Sequence, residues 1–275
     1  MLTRAQEGEA SIVEAPRTPQ PMSRREWTIV LLLMISVIIN YIDRSNLSLA
    51  APLIRQQFAL SPLQIGSLLS AFFWTYALMQ ITGIAGWLSD RFPVGWVMVG
   101  GYVLWSGATV ITGLVSRPST IYIALLLLGV GESVAYPCYS RIFAELPQEH
   151  RGRANALIDA GTKLGPTTGL FVGGLLLVHF GWRMLFIVLG GGGLLWLPPW
   201  IKAMPRFGRR VEVESAAGLS SMVKLLRLPC AWGTFLGHFC GNYFFYFMLA
   251  WLPTWSAKRR CRLERCRGSA PPCSC

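Results

Sequence analysis

The sequence predicts an all-α integral membrane protein, and three observations carry that prediction. Seven apolar runs of roughly 20 residues recur along the 275-residue chain, the length a helix needs to cross ~30 Å of hydrocarbon. None of them alternates apolar and polar residues as a barrel strand does, so a helix is the spanning structure that satisfies its own backbone. The basic residues, finally, are distributed unevenly. Thirteen Lys and Arg, from Arg4 to Arg227, lie in segments on the side of the N-terminus, against Arg55, Arg117 and Arg183 on the other. This bias puts the N-terminus in the cytosol, and it explains much of the net charge of +12 as topology rather than a nucleic-acid surface.

Taken in order, residues 1–26 are polar and contain Pro16, Pro19 and Pro21. They read as a flexible cytosolic tail, because the apolar run that follows is too long for a signal peptide. Runs at 27–50, 63–87, 96–115, 121–143, 154–178 and 182–201 make a six-helix unit over 27–203. Its predicted outer turns, 117–120 and 179–182, are tight, and the inner loop 146–153 is polar. A basic cytosolic linker follows at 204–230, then a seventh transmembrane helix at 231–255 with its apolar run at 231–252. Residues 256–275 break the pattern, with six basic residues on what should be the outer side and Cys261, Cys266, Cys273 and Cys275. Those four cysteines lack zinc-site spacing; a disulfide among them is allowed and cannot be assigned. His150, His179 and His238 are scattered over both sides of the membrane, so no metal, cofactor or catalytic cluster is expected, and the chain is not expected to be an enzyme.

Glycines 161, 165, 169 and 173 recur every four residues in the fifth run and form one smooth helix face for close packing. The stretch GTKLGPTTGLFVGG also resembles the glycine-proline motif of membrane antiporters. Gly190–Gly193 reads as packing or kinking, since no Gly-Lys-Ser/Thr follows.

Six ionisable residues fall inside the runs: Asp43, Arg44, Glu132, Arg141, Asp159 and Lys163. Each costs at least ~2.5–3.5 kcal/mol at a helix centre unless it meets a cavity or a partner, so each is a candidate for function. Asn40, Asp43 and Arg44 share a face by three- and four-residue spacing. Arg44 offers a planar fork for a carboxylate, and Asp43 can exchange protons if burial penalises its charge; a static Asp43–Arg44 pair is the structural alternative. Glu132 has no basic residue within a turn on its own helix, which suits a proton carrier, or else a hydrogen bond between helices. Arg141, near the cytosolic end, can snorkel. Asp159 and Lys163, four apart, are expected to pair, although Lys163 is deep enough to reach an anion.

GWLSDRF at 86–92 resembles the cytosolic G-x-x-x-D-R signature of the major facilitator superfamily, departing from it at Pro93–Trp96. Gly86, Asp90 and Arg91 would then form a conformational latch, Asp90 facing a helix N-terminus and nearby cations. NYIDRSNLSLAAP, SAFFWTYALMQ and GVGESVAYP are similar to the superfamily's anion:cation symporters, which include galactonate, glucarate and hexuronate carriers. The resemblance implies the N-terminal six-helix half of a major facilitator fold, plus its seventh helix. It implies that Tyr41 and Arg44 hold a substrate carboxylate, that Tyr76 contacts substrate hydroxyls, and that Asp43 and Glu132 couple protons. Relatives carry an amide near Thr162, and this chain does not. The implied function is proton-coupled uptake of a small organic anion at the inner membrane. An exporter or exchanger of another amphipathic solute, and a membrane binding protein that does not transport, are the alternatives. Because the family continues with five more spans, the expectation is that the reading frame is lost near Trp255, and that the half-site needs a homodimer or a separate second half.

Overall fold

Ser23 and Ser61 set where the first two helices begin. Ser23 Oγ accepts from Glu26 N at 3.2 Å while the Glu26 carboxylate accepts from Ser23 N at 2.7 Å. Ser61 and Gln64 repeat this reciprocal cap, with Pro62 in the first helical position where its missing N–H costs nothing. In this computed structural model, which describes residues 21–204 and 227–266 with side chains as far as Met248, they open α1 (Arg24–Gln57) and α2 (Pro62–Ile81). Residues 1–20 of the tail predicted at 1–26, most of the linker at 204–230 and the tail cysteines lie outside the described residues and side chains; Arg24, Arg25 and Glu26 of that tail belong to α1.

Breaks in the spans follow glycine and proline. Gly83, at φ +71°, takes a left-handed conformation open to it for want of a Cβ, and α3 (Ile84–Arg91) leaves α2 at 60°. α4 (Val94–Leu114) follows, then α5 (Pro118–Ser133) and α6 (Ala135–Ala144). Pro137 lies in α6 and has no N–H to offer the carbonyl of Ser133 four residues back. Gln80 of α2 donates its amide to that carbonyl instead, at 2.9 Å. α7 (Gln148–Leu194) reverses at Gly181, φ +78° and ψ 172°, inside the turn expected at 179–182. α8 (Leu197–Ala203) and α9 (Pro229–Cys266) complete the order, α9 running well past the predicted end of the seventh span.

Among the described residues, four helical stretches are long and apolar enough to cross a membrane, and the bent α2–α3 pair makes a fifth. One of the four, Gln148–Ala203, has 56 residues; straight, it would measure about 84 Å, more than twice the hydrocarbon thickness. The reversal at Gly181 makes it two spans, so six of the seven predicted spans emerge here; α9 covers the residues predicted for the seventh and is not one of the stretches that meet this criterion among the described residues.

Small residues decide which spans touch. A Cβ on Gly165 would lie 2.6 Å from Tyr41 Cβ and 2.8 Å from the Ile38 carbonyl; Gly161, Gly169 and Gly173 abut α1 in the same way. The predicted glycine face is therefore the seam between α1 and the first arm of α7. Gly129 brings α5 onto Phe72 and Tyr76 of α2, and Gly113 and Gly190 join α4 to the second arm of α7. Gly101 and Gly131 also press spans three and four together, beside the close pairs one–five, two–four and three–six. Exchanging the first three spans for the last three maps these pairs onto one another, the pattern of inverted three-helix repeats.

The two ends of the bundle are tied separately. At one, Trp182 Nε1 donates to Gln57 at 2.7 Å and Arg183 Nη1 to the Val115 carbonyl at 2.6 Å. At the other, Trp196 Nε1 donates to the Leu32 carbonyl at 2.7 Å and Trp200 Nε1 to that of Gly95 at 3.2 Å. Both sets agree with six spans running alternately up and down.

Candidate functional site

Charged side chains from α1 and α5 meet near the middle of the bundle. Arg44 and Glu132 both lie close to the midpoints of their spans, and Arg44 Nε donates to Glu132 Oε2 at 2.8 Å. The side chains are 6% and 0% exposed, so this ion pair has been taken out of solvent. The guanidinium also lies 4.9–5.0 Å from the ring centres of Tyr41, Phe72 and Tyr76. An arginine is stabilised by such aromatic faces because its charge is delocalised over a flat, weakly hydrated group.

This arrangement sets aside the structural alternative at Asp43 and the lone-carboxylate reading of Glu132. Asp43 does not neutralise Arg44 in a static pair, because consecutive helical residues point about 100° apart. Glu132 is not a lone carboxylate, since its cation arrives from another helix. Asp43 is instead 4% exposed, with neither carboxylate oxygen hydrogen-bonded among the described residues. Arg44 Nη2 is also buried there without a hydrogen-bond partner among the described residues, and Asn40 lies beside Glu132. Buried polar groups left over in this number mark a place prepared for water, protons or a ligand rather than a finished core.

Tyr246 of α9 completes the surroundings, and sequence reasoning missed it. Arg44 Nη1 donates to its hydroxyl at 2.6 Å across 202 residues of sequence. Nothing in the seventh run distinguishes Tyr246 from Tyr243, so no sequence signal marks it. Tyr41 and Tyr136 share a 3.2 Å hydrogen bond between hydroxyls beside the same group.

α7 contributes less directly. Thr162 is buried, and its hydroxyl donates to the Asp159 carbonyl one turn back. Lys163 and Asp159 are both exposed and form no ion pair, which corrects the expected self-satisfied couple. Lys163 Nζ lies 4.9 Å from the ring centre of Phe245 instead.

The predicted latch lies apart from this cluster, at the end of the bundle expected from the sequence to be cytosolic. Asp90 Oδ1 accepts from Arg141 Nη1 at 2.9 Å, so the long Arg141 side chain reaches the exposed end of the bundle and finds a carboxylate there. Gly86 has open space around it and Arg91 is exposed. Beside Arg141, burial pushes the Glu145 carboxyl up, and the guanidinium draws it part of the way back. At Glu26, burial alone would push the carboxyl up; the Ser23 backbone N–H and side chain and the neighbouring His150 outweigh it and hold it below 4.5.

Residues 33–261 match the family model described as Major Facilitator Superfamily. The chain is 33% identical to "Probable anion transporter 4, chloroplastic" of Oryza sativa subsp. japonica, over 84% of this chain and 42% of that protein. It is 38% identical over 159 residues to "Probable sulfoacetate transporter SauU" of Cupriavidus necator, covering 58% of this chain and 36% of the other. To "Probable galactarate/D-glucarate transporter GudP" of Escherichia coli it is 27% identical, over 91% of this chain and 63% of that one. A solved bacterial homolog of the human lysosomal transporter Spinster, inward-facing and unoccupied, shares the fold. Its TM-score is 0.69 at 23% identity, over 84% of this chain and 55% of the other. The chain spans about half the length of the curated relatives it matches.

Proposed function

The chain belongs to the Major Facilitator Superfamily, and we propose that its described residues form one wall of a proton-coupled importer of small organic anions, sugar acids first among them. The observation that carries this reading is Arg44, buried near the bilayer midplane against a counter-ion that can take up a proton, with Nη2 left without a partner. An arginine cannot discharge at accessible pH. When Glu132 is protonated, Arg44 therefore needs another anion, and a substrate carboxylate can take that place through the planar fork. Proton and anion then enter together, which is the condition for symport. Asp43 offers a second proton site, and the hydroxyls of Tyr41 and Tyr76 line the approach to a polyhydroxy substrate. Thr162 and Lys163 stand on the neighbouring helix.

Gly86, Asp90 and Arg91 serve as the latch. The Asp90–Arg141 pair ties α3 to α6 at the cytosolic end, where a rocking half must open and close. The partners in this reading are an organic anion, protons, the lipid bilayer, and a second copy or a separate half that supplies the facing wall. The basic bias of alternate loops supports a cytoplasmic N-terminus in the cell's inner membrane. Relatives named as anion, sulfoacetate and galactarate/D-glucarate transporters support the anion class.

Proteoliposomes holding the chain should accumulate labelled sugar acid faster when the outside is acidic than at equal pH, and Arg44→Ala should abolish the uptake. Saturable uptake that survives Arg44→Ala would reject the site. Uptake driven by internal anion rather than by the pH gradient would replace symport with exchange.

A further inference from the structure

We infer that Lys163 is a second anion-binding group and that the site selects dianions over monoanions of the same length; this rests on the anion reading above. Lys163 lies at the midpoint of the first arm of α7, 148–180, too deep for its side chain to snorkel to either surface. It makes no ion pair with Asp159, which is exposed one turn nearer the cytosolic end, nor with any other described carboxylate. Its ammonium rests 4.9 Å from the ring centre of Phe245. That ring meets Tyr41 edge-on at 6.3 Å and lies 5.5 Å from the ring of Tyr246, whose hydroxyl binds Arg44. Two cations from two helices thus contact one aromatic patch, Arg44 at Tyr41 and Lys163 at Phe245. The rings between them offer apolar faces to a short carbon chain, with a positive charge for each of its ends.

Arg44 and Lys163 each offer a positive charge to one end of a dianion, whereas a monoanion of the same length meets only one of them; Asp159, one turn from Lys163 and not paired with it among the described residues, stays on the same helix. Lys163 is exposed, and the contact of its charge with another helix is the Phe245 ring alone among the described residues, so its replacement tests binding more than folding.

The test is calorimetric titration of the purified full chain with two matched pairs, D-glucarate against D-gluconate and glutarate against pentanoate. Within each pair the dianion and the monoanion have equal chain length. The dianion of at least one pair should bind about tenfold or more tightly than its monoanion, since a second charge contact in a partly desolvated site has that scale. Lys163→Gln should bring the dianion down to the monoanion's affinity while leaving the monoanion within about threefold, and Lys163→Arg should restore the preference. Equal binding of dianion and monoanion, unchanged by Lys163→Gln, would overturn the inference and leave the anion reading standing. If the chain binds none of the four, the anion reading falls first and this inference falls with it.

Discussion

Removing Glu132 and removing Arg44 should not cost the same, although the two share one bond. Glu132→Ala leaves a guanidinium that cannot lose its charge buried at 6% exposure, an error of about 3–5 kcal/mol. Arg44→Ala leaves a carboxyl that can take a proton and stay neutral, at about 1–3 kcal/mol for its lost partner. Denaturation in detergent micelles should therefore rank Glu132→Ala well below Arg44→Ala in stability. Equal losses would mean that Arg44 finds a second anion, and Asp43 is the nearest candidate. The positions of all these charges are legible in the sequence, because ionisable residues stand out against apolar runs. Their pairing is not, because the partners are 88 residues apart and the choice between Asp43 and Glu132 depends on how two helices are turned towards each other.

At the scale of elements, a proline and a glutamine 57 residues apart act as one device. Pro137 frees the Ser133 carbonyl, and Gln80 occupies it. Gln80→Leu should cost about 1–3 kcal/mol by leaving that carbonyl unsatisfied. In a Pro137→Ala background the backbone bond can re-form, and Gln80→Leu should then cost measurably less. A double-mutant cycle with no coupling energy would break this link, since contacting pairs normally couple by about 0.5–3 kcal/mol. The glycine face makes a second prediction. Gly165→Ala would set a Cβ 2.6 Å from Tyr41 Cβ and 2.8 Å from a backbone carbonyl of α1, neither of which can swing away. It should destabilise by about 1–3 kcal/mol. Gly174→Ala meets nothing within 4 Å and should be neutral or stabilising by up to about 1 kcal/mol. Similar melting temperatures for the two variants would remove the seam from the α1–α7 contact.

Across the whole molecule, the pairs one–five, two–four and three–six place Arg44, Glu132 and Lys163 at comparable depth on three separate spans. The face they approach is not closed. Lys163 and Asp159 are exposed on it, and α9 meets it through Phe245 and Tyr246 while residues 232–244 of that helix stay exposed. Against lipid, a charge at bilayer depth costs at least ~2.5–3.5 kcal/mol, and Asp159 faces out without an ion pair among the described residues while Lys163 has only the Phe245 ring. The chain should therefore leave the membrane in mild detergent as an assembly of more than one copy, or together with a second half. Light scattering that finds a folded, helical single chain would contradict this.

What the sequence by itself determined is everything that is local along the chain. The spans follow from runs of hydropathy, their expected orientation from the placement of Lys and Arg, and the packing face from glycines four residues apart. The functional candidates follow from charges that lipid does not tolerate. Only the tertiary structure decided which charges meet. It gave Arg44 to Glu132 and not to Asp43, Arg141 to Asp90, and Lys163 to the ring of Phe245 and not to Asp159. It also brought in Tyr246 and Gln80. The reason is geometric: each residue turns a helix by about 100°, so a side chain's partner depends on the rotation of whole spans, and that rotation is set by small residues on other helices pressing backbone against backbone.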